Sequence, residues 1–332
     1  KADPGWIGQV EIFFMGANCT INAPGLSKST GEQLKTISLS ICIVTYNARD
    51  WLIGCLNSIQ ENTRLTSIEI IVVDNGSKDG VEELLSRDYP EVRFIGNNSN
   101  QGYTRPMNQG LRAAHGQYLM QLNPDTKILP GAIDKLMSYM DRNTQVGICG
   151  PKVLNRDGTF QKQCRRGEPR PVAMISYFLR LSSLFPNSKM FGGYLLEYED
   201  EDATIEVDAL SGSCMLIRRE VIEEIGYLDE QFFAYQEDTD ICSRARQAGW
   251  KVYFYPEAKI IHYGGQGGSR VEPYRSIIEW HRSYWLYYKK HLAGDYVFLI
   301  NWLYYLLMVA KLGFALLVNF LRRERYAGPK RG

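Results

Sequence analysis

Buried strands alternate with helices from Ile37 onward, and this alternation constrains the fold more than any other feature of the chain. The run ISLSICIVTYN is almost wholly apolar, residues 51–60 carry helical periodicity, and IEIIVVDNGSKD is a second apolar run that ends in an acidic loop. The pattern continues with the strands VRFI, GQYLMQLN and VGICG, separated by helices over 103–115 and 130–141. Such alternation predicts an α/β fold with a mostly parallel, twisted sheet and helices on both faces.

Polar residues end three of these strands, and we expect them to meet at one edge of the sheet, where ligands of open α/β sheets bind. An aspartate there can accept a hydrogen bond from the N3–H of a uracil or thymine, or from ribose hydroxyls. Taken alone, Asp74 is explained equally well as a turn former or helix cap. The three clusters are Thr45, Tyr46 and Asn47, then Asp74, Asn75, Gly76 and Ser77, then Asn123, Pro124 and Asp125.

Composition narrows the class of protein. The 332 residues carry 38 basic and 37 acidic side chains, a net charge of +1, so no overall field favours nucleic acid as a partner. The seven cysteines are scattered and form no C-x-x-C pair, which argues against a disulfide framework or a zinc cluster. Most of them lie in apolar runs, which is typical of small buried residues in a reducing compartment. We therefore expect a cytosolic body.

An acidic cluster begins the helix that is predicted within FFAYQEDTDICSRARQAGW, residues 232–250. The strand AKIIH, which ends in His262, follows this helix along the chain. Negative charge in the first turn of a helix is stabilising, so Glu237, Asp238 and Asp240 are explained in part as capping residues. Asp240 precedes Arg244 by four residues, a spacing that favours an ion pair on one helix face.

Five runs in one order resemble the inverting family 2 glycosyltransferases, which have the GT-A, Rossmann-like fold. The similarity extends over about residues 38–291 and is greatest to a rhamnosyltransferase-like bacterial branch that builds cell-wall, O-antigen and capsule glycans. No single run is decisive, but their order is specific. The runs are SICIVTYNARDWLIGCLNSI, IIVVDNGSKDG, NQGYTRPMNQG, LMQLNPDT and FFAYQEDTDICSRARQAGW.

The resemblance implies roles for residues of the nucleotide-binding half. Beside the sheet-edge residues, Gly102 would allow close backbone approach to the diphosphate and Asn108 would make a polar contact there. Asp125 occupies the last position of the family's metal-binding D-x-D motif, whose first position is Asn123 here, so one charged ligand fewer is available. The implied nucleotide contacts are Thr45, Tyr46, Asn47, Asp74, Asn75, Gly102, Asn108, Asn123 and Asp125.

The resemblance also implies a base and a metal. Asp238 matches the residue that takes the proton of the acceptor hydroxyl, with Glu237 orienting the acceptor or the helix start. His262 matches a metal-binding histidine and would join Asp125 in holding Mg²⁺ or Mn²⁺ on the diphosphate. A lone histidine is otherwise more often a core or surface residue.

Acceptor contacts are predicted less sharply. The residues Ser211, Gly212 and Ser213 precede the helix of the base and are expected to line the acceptor pocket. The basic run KQCRRGEPR, with Lys162, Arg165, Arg166 and Arg170, faces acceptor phosphate or forms a solvated loop, and the loop is favoured.

Domain organisation follows from these assignments. Residues 1–36 have no assigned role, because their one apolar run, VEIFFMGA, is shorter than a spanning helix requires. Residues 37–291 form the glycosyltransferase domain, with a nucleotide-binding half over 37–150 and an acceptor or catalytic half over 151–291. Residues 292–332 form a hydrophobic helical tail that we expect to associate with a membrane, because the 26 residues from Tyr296 to Leu321 are mostly apolar, with Asn301 and Lys311 as interruptions. A packed tail or a homodimer interface is the alternative.

The sequence therefore predicts an inverting, metal-dependent hexosyltransferase at the cytoplasmic face of a bacterial inner membrane. The preferred donor is dTDP-L-rhamnose, with UDP-hexoses and UDP-N-acetylhexosamines as alternatives, and the acceptor is a polyprenyl diphosphate saccharide. A catalytically silent nucleotide-binding scaffold is the alternative from another class. A sugar nucleotidyltransferase or a NAD-dependent enzyme is disfavoured, because the glycine-rich phosphate loop that each requires after a strand is missing.

Overall fold

The predicted strand and helix alternation is present in the first half of the computed structural model, which describes residues 37–65, 67–185, 187–265 and 272–321. Three longer segments lie outside the described residues. They are residues 1–36, which have no assigned role, the basic residues after Leu321, and most of the glycine-rich run after Tyr263. The elements of this half are β1 (Leu39–Thr45), α1 (Arg49–Asn62), β2 (Ile68–Asp74), α2 (Val81–Asp88), β3 (Arg93–Gly96), α3 (Thr104–Ala113), β4 (Tyr118–Leu122), β5 (Thr126–Ile128), α4 (Ala132–Arg142) and β6 (Val146–Leu154).

The second half is less regular. A 3-10 turn at Lys162–Cys164 precedes a stretch of short helices, and two longer helices follow the last strand. Its elements are β7 (Arg165–Arg166), α5 (Pro171–Phe178), α6 (Leu181–Leu184), α7 (Lys189–Gly192), β8 (Ile205–Glu206), β9 (Ala209–Leu210), β10 (Cys214–Arg218), α8 (Arg219–Ile225), α9 (Glu237–Gln247), β11 (Lys251–His262), α10 (Pro273–Tyr287) and α11 (Phe298–Leu321).

The main sheet has the strand order β3-β2-β1-β4-β10-β6-β11-β5, with β8 paired to β11. Strands β1, β2, β3 and β4 are mutually parallel, whereas β10 runs antiparallel to both of its neighbours. Every residue of β1, β4 and β10 is buried, as expected of central strands that have protein on both faces. The antiparallel β10 brings the 211–213 turn beside the carboxyl end of β4, where Asn123 N donates to Ser213 O at 3.0 Å.

Six described cysteines lie in this buried interior as free thiols. Burial is the main cause that raises the pKa of each of them, to about 12 for Cys42, Cys55, Cys164 and Cys242. The thiols of Cys149 and Cys214 are raised in pKa for the same reason. These thiols behave as small core residues, as the sequence predicts.

Helix α11 packs antiparallel against α10 and against the π-helical turn that continues α10, Tyr288–Leu292. The rings of Tyr288 and Tyr304 stack with centroids 3.7 Å apart, and Tyr288 Oη donates to Asn301 Oδ1. Asn301 Nδ2 also donates to Ala293 O at 3.0 Å, so this polar residue serves the helix packing. Within the described residues, α11 is the one helix long and apolar enough to cross a bilayer, and most of its surface is exposed.

Candidate active site

One cavity of about 390 Å³ lies beyond the carboxyl ends of β1 and β4, a size typical of small-ligand sites. It brings together most of the residues that the sequence singles out, from both halves of the chain. Thr45, Asn47, Asp74 and Asn108 are not among the residues that line it. The predicted residues that do are Tyr46, Asn75, Gly102, Asn123, Asp125, Ser211, Gly212, Ser213, Glu237, Asp238 and His262.

Two buried acceptors stand at the sheet edge behind this cavity. Thr45 and Asp74 are partners in the parallel register of β1 and β2, and both are less than 10% exposed. Asp74 Oδ2 accepts from Ser77 N at 3.0 Å, whereas Asp74 Oδ1 and Thr45 Oγ1 have no hydrogen-bond partner among the described residues. Buried polar atoms without partners are uncommon and suit a ligand that donates hydrogen bonds.

Three of the four asparagines predicted as nucleotide contacts use their amides within the fold. Asn47 has a φ of 49°, and its Oδ1 accepts from Lys78 N at 2.9 Å. Asn75 Nδ2 donates to Gly102 O at 2.6 Å. Asn108 is fully buried and bridges to Leu228 through both its Oδ1 and its Nδ2, so it joins α3 to the loop before α9. In each case the amide is satisfied by backbone groups, which sequence spacing does not reveal.

Gly102 permits a close approach, but to another part of the chain than expected. Its φ is +90°, and a Cβ at this position would lie 2.4 Å from Phe233 O. The same carbonyl accepts from Tyr103 N at 2.7 Å. The glycine therefore lets the start of α3 pack closely against the loop that leads into α9.

Asp125 and His262 face each other across the cavity wall, with Oδ1 and Nε2 3.2 Å apart. His262 Nδ1 lies 2.9 Å from Gln161 Oε1, and Gln161 Nε2 donates to Asn155 Oδ1, so His262 donates from Nδ1 and a neutral ring has its lone pair on Nε2. Asn123 Nδ2 lies 3.3 Å from the same Nε2.

This pair fits a divalent cation. An imidazole nitrogen and a carboxylate oxygen that converge are suitable ligands, and the hydrogen bond from His262 Nδ1 to Gln161 fixes the orientation of the ring. Within the described ranges there is no cluster of three or more His, Cys, Asp or Glu that could enclose a metal. Any cation here would therefore depend on ligand oxygens to complete its coordination.

Asp238 is held in one orientation by four hydrogen bonds. Its Oδ2 accepts from Arg166 Nη2 at 2.6 Å and from Gly212 N at 3.0 Å, and its Oδ1 accepts from Thr239 N at 2.7 Å and from Thr239 Oγ1 at 3.2 Å. The Arg166 and Asp238 side chains are each 11% exposed. The ion pair and the helix amide stabilise the negative charge of this carboxylate at the cavity wall.

Glu237, the neighbour of Asp238, has a raised pKa and one carboxyl oxygen without a hydrogen-bond partner in the part of the chain that the structure describes. Burial, and then the charge of Asp238, raise its pKa from 4.5 to about 8. Its Oε2 has no hydrogen-bond partner among the described residues. Two adjacent carboxyl groups therefore differ at neutral pH, with Glu237 largely protonated.

The backbone that presents this pair is strained. Tyr235 and Gln236 have φ values of 69° and 63°, in the left-handed region that non-glycine residues rarely adopt. Two such residues in succession turn the chain sharply into α9, so that the acidic first turn faces the cavity. Asp240 lies on the opposite side of the helix, where it pairs with Arg244 at 2.8 Å as the sequence predicts.

Several residues of the site escape the sequence pattern. Helix α10 contributes one face to the cavity, although none of the predicted motifs includes it. Arg166 and its neighbour Arg165 are buried rather than solvated, whereas Lys162 and Arg170 are exposed. The spacing of Ser276, Trp280 and Tyr284 is the one available signal for α10. The cavity residues that α10 and its N-cap provide are Glu272, Arg275, Ser276, Glu279, Trp280 and Tyr284.

Two family models match the chain. The model described as glycosyl transferase family 2 matches residues 40–226. The model described as glycosyl transferase family group 2 matches residues 197–326, which includes α9, α10 and α11.

Curated relatives are named as transferases of glycan assembly. An N-acetylglucosaminyl-diphospho-decaprenol L-rhamnosyltransferase of Mycobacterium tuberculosis is 27% identical over 80% of this chain and 88% of its own length. The Low-salt glycan biosynthesis hexosyltransferase Agl10 of Haloferax volcanii is 29% identical over 70% of this chain and 69% of its own length. The dTDP-rhamnosyl transferase RfbF of Shigella flexneri is 25% identical over 69% of this chain and 70% of its own length.

Solved structures share the fold. A mannosyltransferase of Pyrobaculum calidifontis, solved with GDP-Man and Mn²⁺, aligns over 76% of this chain and 63% of its own with a TM-score of 0.51 and 14% identity. GalNAc-T7, solved with UDP, GalNAc and Mn²⁺, aligns over 69% of this chain and 44% of its own with a TM-score of 0.51 and 18% identity.

Proposed function

The chain belongs to glycosyl transferase family 2 and is a glycosyltransferase, and we propose that it transfers a sugar with inversion from a nucleoside diphosphate donor to a lipid-linked saccharide. The first candidate donor is dTDP-L-rhamnose, and the first candidate acceptor is a sugar carried on a polyprenyl diphosphate. The names of the Mycobacterium and Shigella relatives support both choices, because the first acts on a diphospho-decaprenol acceptor and the second is a dTDP-rhamnosyl transferase. UDP-hexose and UDP-N-acetylhexosamine donors are the alternatives.

One observation carries this proposal above the alternative of a silent scaffold. The same cavity holds an oriented carboxylate, Asp238, and the convergent pair Asp125 and His262. An inverting transfer needs one base on the acceptor side and charge stabilisation on the diphosphate side. A scaffold that only bound nucleotide would require neither the buried ion pair of Asp238 nor the oriented ring of His262 beside Asp125.

Asp238 is the proposed base. As the acceptor oxygen forms its bond to the anomeric carbon, its proton passes to an oxygen of Asp238. The bond from the anomeric carbon to the diphosphate oxygen breaks on the opposite face, and its electron pair leaves with the nucleoside diphosphate. Arg166 positions the carboxylate, and Glu237, largely neutral at pH 7, offers hydrogen bonding rather than proton acceptance.

Asp125 and His262 are the proposed ligands of Mg²⁺ or Mn²⁺. When bound, such a cation neutralises charge that develops on the departing diphosphate. Gln161 holds the ring of His262 with Nε2 toward Asp125, so that a cation would meet one nitrogen and one carboxylate ligand side by side. The presence of Mn²⁺ in two solved structures of the same fold is consistent with this choice.

Membrane association at the cytoplasmic face of a bacterial inner membrane is also part of the proposal. Helix α11 packs on the domain through Asn301 and Tyr304, and its outward face is apolar. This arrangement suits a helix that lies in the bilayer interface beside the domain better than one that crosses the bilayer away from it.

The test is a donor screen with purified full-chain protein in detergent. Binding and turnover are measured for dTDP-rhamnose and for common UDP- and GDP-sugars, with Mg²⁺, with Mn²⁺ and with EDTA, in the presence of a saccharide linked to a short polyprenyl diphosphate as acceptor. Metal-dependent transfer from one donor to the acceptor supports the proposal and identifies the sugar. Nucleotide binding without turnover of any donor, with the acceptor present, would favour the scaffold.

A further inference from the structure

Lys311 is a cation in the middle of the apolar helix α11, and its surroundings are aromatic. Its Nζ lies 3.9 Å from the ring centroid of Trp280 and 4.6 Å from that of Phe178. It also lies 3.1 Å from His281 Nε2. Because His281 Nδ1 lies 2.8 Å from Ile277 O and donates to it, Nε2 accepts a hydrogen bond from the ammonium group.

This cation has no anionic partner in the part of the chain that the structure describes. The carboxylate of Glu279, two residues before His281 on α10, pairs instead with Arg282 at 3.0 Å. An ammonium group has three N–H donors, of which His281 accepts one. A half-buried charge held only by ring faces and one imidazole is costly unless an anion joins it.

The surroundings of Lys311 are continuous with the catalytic cavity. Trp280 contacts Lys311 with its face and also lines the cavity beside Tyr284, whose ring centroid is 4.0 Å away. Phe178 meets Trp280 edge-on at 6.4 Å. One indole ring therefore separates the unpaired cation from the cavity that contains Asp238.

Apolar surface extends outward from the same point. Helices α5 to α7 expose seven large apolar side chains, and α11 exposes more along its outward face. Contiguous exposed apolar surface of this kind marks an interaction site rather than ordinary protein surface. The exposed residues of the α5 to α7 segment are Val172, Ile175, Phe178, Leu179, Leu184, Phe185 and Met190, and those nearest on α11 include Leu307, Phe314 and Leu317.

We propose that this is the binding site for the isoprenoid diphosphate of the acceptor, an inference that rests on the proposed function. Lys311 receives the diphosphate, and the exposed apolar residues of α5 to α7 and α11 receive the isoprenoid chain. The sugar attached to the diphosphate then extends past Trp280 into the cavity, toward Asp238. The charge fits the diphosphate and the adjacent apolar surface fits the chain, so that one ligand satisfies both features.

The test is a calorimetric titration of the full chain in detergent with farnesyl diphosphate, without donor, beside titrations with farnesol and with inorganic diphosphate. The variant Lys311→Met should weaken farnesyl diphosphate binding by about tenfold or more, because it removes one charge-assisted contact. Lys311→Arg should retain most of the affinity. Lys289→Met is the matched control, because Lys289 also lies over a tryptophan ring, that of Trp285, but away from the cavity.

Thermal unfolding of each variant is compared with the wild type, so that loss of binding is not confused with loss of folding. Equal affinity of wild type and Lys311→Met for farnesyl diphosphate would overturn the site. So would equal affinity of the wild type for farnesol and for farnesyl diphosphate, since the surface would then bind lipid in general.

The donor screen separates this inference from the function on which it rests. If the wild type turns over a donor, Lys311→Met should raise the KM for a farnesyl diphosphate-linked sugar far more than it changes kcat. Absence of donor turnover would count against the transferase reaction proposed above, whereas the calorimetric comparison reports on the lipid site by itself.

Discussion

Glu237→Gln should change the pH dependence of stability, because the protonated carboxyl group is part of the folded state. The folded pKa of about 8 lies above the unfolded value of 4.5. Folding therefore retains a proton that the unfolded chain releases between these pH values. The contribution of Glu237 to stability is fully present below about pH 4.5 and is lost as the pH rises toward 8.

The size of the effect follows from the two pKa values. Each pH unit between them costs about 1.4 kcal/mol, and the cost tapers near each pKa, so the wild type should lose about 3 to 4 kcal/mol relative to Glu237→Gln between pH 5 and pH 8. Glutamine resembles the neutral acid in shape and cannot ionise. The variant should therefore be more stable than the wild type at pH 8 and similar to it at pH 5.

Urea unfolding of both proteins at several pH values measures this difference. Glu223→Gln, on the exposed face of α8, is the matched control and should follow the wild type at each pH. A difference between wild type and Glu237→Gln that does not change with pH would refute the reasoning. The same variant should keep transfer at pH 7 within about tenfold of the wild type, since a largely neutral Glu237 is not the base.

Three further predictions concern the same cavity. Asp238→Asn should lower kcat for transfer by about 10³-fold while donor binding by calorimetry is retained, and a loss of less than about tenfold would contradict its role as base. Because that variant leaves Arg166 buried without its anion, it should also lose about 3 kcal/mol of unfolding free energy, which Arg166→Met should partly restore in the double variant. Asp125→Ala should make donor affinity insensitive to added Mn²⁺, and an undiminished response to the metal would exclude Asp125 as its ligand. Gly102→Ala should destabilise the fold by about 2 kcal/mol or more in urea unfolding, because φ is +90° and the new Cβ meets Phe233 O; unchanged stability would show that the loop moves freely.

The sheet is largely predictable from the sequence, because central strands buried on both faces appear as uninterrupted apolar runs. Thr45 pairs with Asp74 because each is the first polar residue after an apolar run, at the end of its strand. The direction of β10 does not, since a short apolar run such as CMLIR is the same whether its strand is parallel or antiparallel. That direction places the turn at Gly212 against Asp238.

The site is only partly predictable, for a related reason. Asp125 and His262 are singled out by the order of motifs, and the structure brings them together. Gln161 and Arg166 act through tertiary contacts that no spacing encodes. Arg165 was expected in a solvated loop, but its guanidinium donates to the carbonyls of 199 and 200, which compensates its burial.

The six buried thiols can report chemically on local unfolding of the strands and helices that carry them. Alkylating reagents attack thiolates, and a thiol whose pKa is about 12 presents almost none at neutral pH while it stays buried, as with Cys42 and Cys242. Modification of each cysteine therefore follows local or global unfolding of its own strand or helix. Cys42 reports on the middle of the central strand β1, and Cys242 reports on α9, one turn after Glu237 and Asp238. Mass-resolved alkylation with and without donor would thus measure, segment by segment, how ligand binding changes the stability of the wild-type protein.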